Sequence, residues 1–314
     1  MNNKSYPKKE VILGLIQTQV SADLAKNLAQ AERLVEKAAK QGAQIICLPE
    51  LFRTPYFPQY PKANKNTFCE TIPGISTDAF KILAKKYGVV IIVPIYEKDK
   101  QGVYHNSAVV IDHTGRLLPT YRKTHIPHDP GFYEKNYFAE SKNGYKVYKT
   151  KFATFAVLIC YDQWFPEAAR AARLAGADII FYPTALGNII DYEPEGDWHD
   201  AWETSIRSHG IDNSLYVCAI NRTGRENRIQ FFGQSFVADP FGKVLKRAGP
   251  SKEKILIAKL DLSRNEFLAE GWGFLRNRRP DTYKILTSDK LVSKSQALKN
   301  VPHYKDEQKA LEGK

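Results

Sequence analysis

The chain has 314 residues and 43% hydrophobic content, enough for a sizeable core in one large or two ordinary domains. Its net charge of +12 raises nucleic acid as a partner, but the lysines are scattered and no basic run is interleaved with aromatics. A solvated basic surface accounts for the charge, so no nucleic-acid partner is expected; nor is a membrane partner, since no window approaches the roughly 18 uninterrupted apolar residues of a span.

The opening MNNKSYPKKE is polar and lacks a signal-peptide core. Val11 to Gln17 reads as a strand. Leu24, Leu28, Ala31, Val35 and Ala38 follow at helical spacing, with Gly42 as the stop. Gln44 to Leu48 is a second strand, ending at Pro49-Glu50. Ile75 to Tyr87 is an amphipathic helix closed by Gly88, and Val89 to Ile95 a third strand. His105–Ile111 and Leu117–Arg122 read as a hairpin, with Lys123 at its far end. Thr124 to Tyr145 is irregular and rich in Pro, Gly and Tyr. Phe155 to Ile159 then reads as a strand that delivers Cys160, Pro166 to Ala175 as a helix stopped by Gly176, and Ile179 to Tyr182 as the next strand. A helix over Trp198–Ile211 and a strand over Leu215–Asn221 follow. Two or three strands flank the Asp239-Pro240-Phe241-Gly242 turn, and Lys254–Leu260 is the last. Alternating helices and strands with hairpins between them predict an α/β chain with a mixed sheet.

The four cysteines form no CxxC pair, and Cys47, Cys160 and Cys218 lie inside apolar runs. Reduced thiols in a cytoplasmic protein fit this better than a disulfide framework or a zinc site. The seven histidines show neither HxxxH nor HExxH, so no metal is expected. Phosphate-binding glycine motifs are also missing, so no cofactor is expected.

Three polar residues end apolar strands: Glu50, Lys123 and Cys160. Groups at strand carboxyl ends converge on one crevice in α/β sheets. A carboxylate, an ammonium and a thiol there make a coherent set: Glu50 takes the thiol proton, Lys123 stabilises anionic sulfur or oxygen, and Cys160 attacks an electrophilic carbon. A cysteine where a strand meets a helix lies near helix N–H groups, which favour a thiolate. The competing reading is a buried cysteine packed as a small hydrophobe. From Leu174 to Ile206 there is no Lys or Arg, while Asp178, Asp191, Glu193, Glu195, Asp197, Asp200 and Glu203 all fall inside it. Beside a reactive cysteine, such a segment favours a cationic substrate; otherwise it is a solvated acidic loop.

The order Glu, Lys, Cys is carried by LPELF (Leu48–Phe52), YRKTHIP (Tyr121–Pro127) and ICYDQWFPEAAR (Ile159–Arg170). With spacings of 123 − 50 = 73 and 160 − 123 = 37, it resembles the nitrilase superfamily of carbon–nitrogen hydrolases. PGFYEKNYF (Pro130–Phe138) and the run from Cys160 to Gly187 are similar to the branch that hydrolyses N-carbamoylputrescine. The resemblance covers Val11 to Arg279. It implies a four-layer αββα sandwich of two mixed sheets and a homodimer or larger homo-oligomer. It implies Glu50 as general base, Lys123 as oxyanion stabiliser, Cys160 as nucleophile, Glu134 as a supporting carboxylate and the Tyr161 backbone N–H as second oxyanion donor. Tyr56, Trp164, Thr184, Asp197 and His199 are expected to bind substrate. The implied substrate is small and cationic, N-carbamoylputrescine, in polyamine biosynthesis. An N-carbamoyl amino acid, which would want Arg207 or Arg222 in the pocket, or an ω-amide is the alternative. A non-catalytic scaffold would lack one of the reactive residues. Three features depart from the branch: Tyr161 stands where Trp is usual, Ser208–Gly224 replaces a run resembling GHAGAN, and the loop Asp191–Asp200 differs, although Trp198-His199 is similar to the branch's adjacent His and Trp. The hydrolase domain is expected over residues 8–283, with a lysine-rich tail over 284–314 that contacts another subunit or is partly disordered.

Overall fold

Hydrophobic alternation in the strands and apolar stripes on the helices decide how the layers stack. A computed structural model of the protein describes residues 6–287. The chain divides into two units, Met1–Phe274 and Leu275–Lys314. In the first, the elements in order are β1 (Glu10–Gln17), α1 (Leu24–Lys40), β2 (Ile45–Cys47), α2 (Ile75–Tyr87), β3 (Val90–Lys98), β4 (Tyr104–Ile111) and β5 (Tyr121–Arg122). Then come β6 (Val147–Lys149), β7 (Thr154–Val157), α3 (Pro166–Leu174), β8 (Ile179–Thr184), β9 (Gly187–Ile189), α4 (Trp198–Asn213), β10 (Tyr216–Asn221) and β11 (Thr223–Glu226). The unit closes with β12 (Ile229–Phe232), β13 (Phe236–Ala238), β14 (Val244–Arg247), β15 (Lys254–Asp261) and α5 (Ser263–Trp272).

Two six-stranded mixed sheets result. The first runs β15-β1-β2-β3-β4-β5 and the second β14-β13-β10-β8-β7-β6. Each has parallel strands at its centre and antiparallel strands at its edges. The period of two sorts the side chains. Leu13, Leu15, Cys47, Ile92 and Val110 of the first sheet pack with Phe155, Val157 and Phe181 of the second. The opposite face of the first sheet, with Ile16, Ile46, Ile91, Val93 and Val109, packs on Leu34, Val35 and Ala38 of α1 and Phe80 and Ala84 of α2. Ala168, Ala169 and Ala172 of α3 and Trp202 and Ile206 of α4 join the second sheet. This is the αββα sandwich.

Local signals set the helix ends. Asp23 caps α1 by accepting the N–H groups of Ala25 and Lys26. Pro166 opens α3, where a missing N–H costs nothing. Gly88 ends α2 at a φ of 64°, which glycine adopts without strain.

Some elements differ from the expectation. The second arm of the first hairpin shrinks to Tyr121–Arg122, because Pro119 has no N–H for the ladder. The strand before Cys160 ends at Val157, and a 3-10 turn, Cys160–Trp164, stands between it and α3. A small antiparallel sheet, β11-β12-β9, and helix α5 were not expected. The small strands are only three or four residues long, and α5 buries just Asn265, so neither carries a clear apolar period. In the second unit, residues 275–287 hold the 3-10 turns Pro280–Thr282 and Lys284–Thr287 and an Arg279–Asp281 ion pair of 2.7 Å. Beyond residue 287, the expected tail lies outside the described residues.

Candidate active site

Glu50 and Lys123 leave the first sheet, just after β2 and β5. Glu50 is fully buried. Its Oε1 accepts Asn106 Nδ2 at 2.7 Å and Lys123 Nζ at 2.9 Å. Its Oε2 is buried with no hydrogen-bond partner among the described residues. Lys123 Nζ also donates to Glu134 Oε2 at 2.6 Å, and its backbone N–H is held by the Asn106 carbonyl at 2.8 Å. An ammonium has three protons, so this pairing leaves one beyond the two carboxylates. Glu134 lies in a 3-10 turn, and its other oxygen accepts the Tyr56 hydroxyl at 2.8 Å. Neighbouring Lys135 turns instead to Glu140, at 3.2 Å on the surface.

One buried ammonium thus faces two buried carboxylates. Burial works to lower the Lys123 ammonium, but the Glu134 and Glu50 charges outweigh it and hold the group above its usual range. Burial pushes the Glu134 carboxyl up to about 7; Lys123 pulls it down and Glu50 adds to the rise. Burial, reinforced by Glu134, keeps the Tyr56 phenol protonated as a donor.

Cys160 comes from the second sheet. It opens the 3-10 turn with a φ of 44°, in the left-handed region that non-glycine residues rarely adopt. Asp162, fully buried, holds this turn. Its carboxylate accepts the Ile159 N–H at 2.9 Å, the Tyr121 hydroxyl at 2.7 Å, and the His125 N–H and Nδ1 at 2.9 and 2.8 Å. His125 is stacked on Phe165 with ring centroids 3.6 Å apart. The backbone of Ala185, just past β8, acts on the Cys160 sulfur in the direction that favours the thiolate. The sulfur is electrostatically coupled to Glu50, Lys123 and Glu134, which places all four groups together across the two sheets. The expectation of a thiolate favoured by the helix is corrected. Burial and then the Glu50 carboxylate push the Cys160 thiol well above its ordinary value, against Lys123 and the Ala185 backbone. The helix α3 begins six residues later, too far to help.

The remaining expected residues fall in different places. Tyr56 is buried beside Glu134 and lies edge-on to Phe132 and Phe231. Burial, then the Asp129 charge, pushes the Tyr161 phenol up, and the residue's N–H is among the first of the 3-10 turn, which have no acceptor within it. Trp164 ends that turn, half-buried against the core. The Thr184 hydroxyl bonds Gln163 Oε1 and the Tyr182 carbonyl. Asp197 is exposed and caps α4 by accepting the Asp200 N–H. His199 packs edge-on to Phe232, and its Nε2 is buried with no partner among the described residues. Arg207 and Arg222 are both committed to the protein. Arg207 bonds the Gly242 carbonyl and Glu203, and Arg222 is buried against Glu226 and backbone carbonyls. Arg222, fully buried, is not left for a substrate carboxylate, whereas the Arg207 side chain stays partly exposed. The sequence reading missed Asn106, Asp162, Glu226 and the Ala185 backbone, which lie within apolar strands or beside better-known motifs.

Residues 12–269 match the carbon–nitrogen hydrolase family. An N-carbamoylputrescine amidase from Solanum lycopersicum is 41% identical over 288 residues, 88% of this chain and 94% of the relative. A citrullinase from Francisella tularensis is 37% identical over 276 residues, 86% and 96% of the two chains. The crystal structure of a carbon-nitrogen hydrolase from Helicobacter pylori G27 superposes with a TM-score of 0.86 at 37% identity, covering 90% of this chain and all of that one. The match runs through both sheets and every segment that builds the Glu50–Lys123–Cys160 cluster; the chain therefore belongs to the carbon–nitrogen hydrolase family, as a hydrolase of linear amides.

Proposed function

We propose that the protein hydrolyses N-carbamoylputrescine to putrescine, carbon dioxide and ammonia, with Cys160 as nucleophile. The observation that carries the chemistry is the buried Glu50–Lys123–Glu134 cluster around the Cys160 sulfur, with Glu50 Oε2 left unpaired. The thiol rests protonated, so it needs a base as it attacks. Glu50 takes that proton as sulfur bonds to the ureido carbon. The oxyanion sits between the Lys123 ammonium and the Tyr161 N–H. Glu50 then gives the proton to the departing amine, and putrescine leaves. A water that Glu50 deprotonates attacks the carbamoyl thioester. Carbamic acid departs, the thiol is restored, and the acid breaks down to carbon dioxide and ammonia. Glu134 and Tyr56 hold Lys123 throughout.

The substrate reading is supported by the relatives that bear that activity in their names and by the burial of Arg222 against protein acceptors. The citrullinase relative favours a second reading, a ureido amino acid with the same reacting group. Ammonia release from purified protein with N-carbamoylputrescine, citrulline and N-carbamoyl-β-alanine decides between them. Higher kcat/KM on the first is expected; faster turnover of citrulline would replace it. The buried Nε2 of His199, without a partner among the described residues, supports His199 as a substrate-binding residue in this reading. A homodimer or larger homo-oligomer in the cytoplasm completes the proposal. Phe241 and Trp272, in ring contact yet 51% and 54% exposed, support an interface. Light scattering checks it, and a monomer would refute it.

A further inference from the structure

Arg222 lies just past β10 and is fully buried. A buried guanidinium must find acceptors in the protein, so the acceptors it finds show what it holds. Nη2 donates to the carbonyls of Glu50 at 2.8 Å and Leu51 at 2.9 Å. Nη1 donates to the Thr54 carbonyl at 3.3 Å and to Glu226 Oε1 at 2.7 Å. The other Glu226 oxygen accepts the Tyr56 N–H at 2.7 Å. The guanidinium carbon stands 5.9 and 5.2 Å from the ring centroids of Tyr56 and Phe231. One buried ion pair on the β10–β11 segment therefore grips four backbone groups between Glu50 and Tyr56. That segment needs gripping: Leu51 has a φ of 50°, a conformation that persists only where surroundings impose it. Its two ends carry Glu50 and the hydroxyl that orients Glu134.

We propose that Arg222 and Glu226, on the segment from the end of β10 through β11, are positioning residues, which set Glu50 and Tyr56 against Lys123 and Cys160. The inference rests on Glu50 acting as the base, as in the reading above. Planarity matters here. Lysine keeps the charge but cannot fork to three carbonyls. Displacement of the base by an ångström lowers turnover without removing substrate contacts.

The test compares Arg222→Lys, Arg222→Ala and Glu226→Gln with the wild type, each first shown to be folded by circular dichroism and thermal melting. Two readouts are followed: turnover of N-carbamoylputrescine, and alkylation of Cys160 by iodoacetamide, measured by peptide mass spectrometry. The expected result for Arg222→Lys is a kcat about 100-fold lower with KM within about threefold, and slower Cys160 alkylation. Added methylguanidinium should restore part of the activity of Arg222→Ala, a rescue that a purely structural role would not give. Glu226→Gln keeps the shape and should lose about tenfold in kcat; if the arginine variants do not fold, it decides alone. Wild-type kcat and wild-type alkylation in the folded variants would overturn the proposal, as would a rise in KM alone. Should the wild type fail to turn over N-carbamoylputrescine while the variants still slow alkylation, the substrate reading falls and the positioning role stands.

Discussion

Glu50→Gln keeps the shape of the side chain and an acceptor for Asn106 and Lys123, but removes one negative charge from the buried cluster. Its effect on activity and on stability should run in opposite directions. A general base is worth about 10²- to 10⁴-fold in rate, so kcat should fall at least about 100-fold. Stability depends on Glu134. Its carboxyl is pushed from 4.5 up to about 7, so ionising it in the folded protein costs on the order of 3 kcal/mol. The folded value lies above the unfolded one, so the folded state holds the proton more tightly. That stability is fully present below about pH 4.5 and lost as pH rises through 7. Burial is the main cause and Glu50 a contributor. Removing Glu50 therefore relieves part of a cost that exists only once Glu134 is ionised. If that part is about 1 kcal/mol, Tm of the variant relative to wild type should rise by roughly 2–4 °C between pH 5 and pH 8. Differential scanning fluorimetry at the two pH values, with ammonia release at pH 8, reads both effects. A kcat within tenfold of wild type, or a relative Tm that falls with pH, would refute the reasoning.

Other substitutions probe the same cluster. Lys123→Ala leaves Glu50 and Glu134 buried without their ammonium and should cost about 3–5 kcal/mol, read by urea melts; an unchanged midpoint argues against the ion-pair geometry. Cys160→Ser should have no measurable turnover while melting near wild type, and full activity would sink the nucleophile assignment. Because the resting thiol lies above its ordinary value, iodoacetamide alkylation of Cys160 should keep climbing past pH 9; a plateau near neutrality would show a resting thiolate instead. Gly187→Ala should disrupt β9 and the nearby Ala185 backbone. An added Cβ would stand 2.3 Å from the Gln230 carbonyl oxygen, so a soluble, fully active variant would contradict that packing.

Legibility in the sequence followed the range of the signal. The helix α2 was expected over the residues it occupies, because its apolar spacing and the stop at Gly88 are both local. The small sheet was not legible, since each strand is three or four residues long and depends on a partner distant in the chain. Glu50, Lys123 and Cys160 were legible as polar residues closing apolar runs, and Glu134 through its motif. Asp197 stood out by its acidic loop, but an N-cap uses the same residue type, and the structure spends it there.

What the sequence determined by itself is local: where strands and helices lie, that Gly and Pro end them, and that a carboxylate, an ammonium and a thiol close three strands. Tertiary structure alone decided that two of those strands belong to one sheet and the third to another, so the cluster forms between sheets rather than along one edge. It also decided the charge state of the thiol, because desolvation and a carboxylate 110 residues away (160 − 50 = 110) act through space and leave no local mark. Arg222 shows the same division. In the chain it is a free cation near a pocket, and in the fold its two Nη groups are bonded to Glu226 and to the backbone that carries Glu50. Hydrogen bonds are short-ranged and directional, so which groups they join is settled only once the sheets have packed.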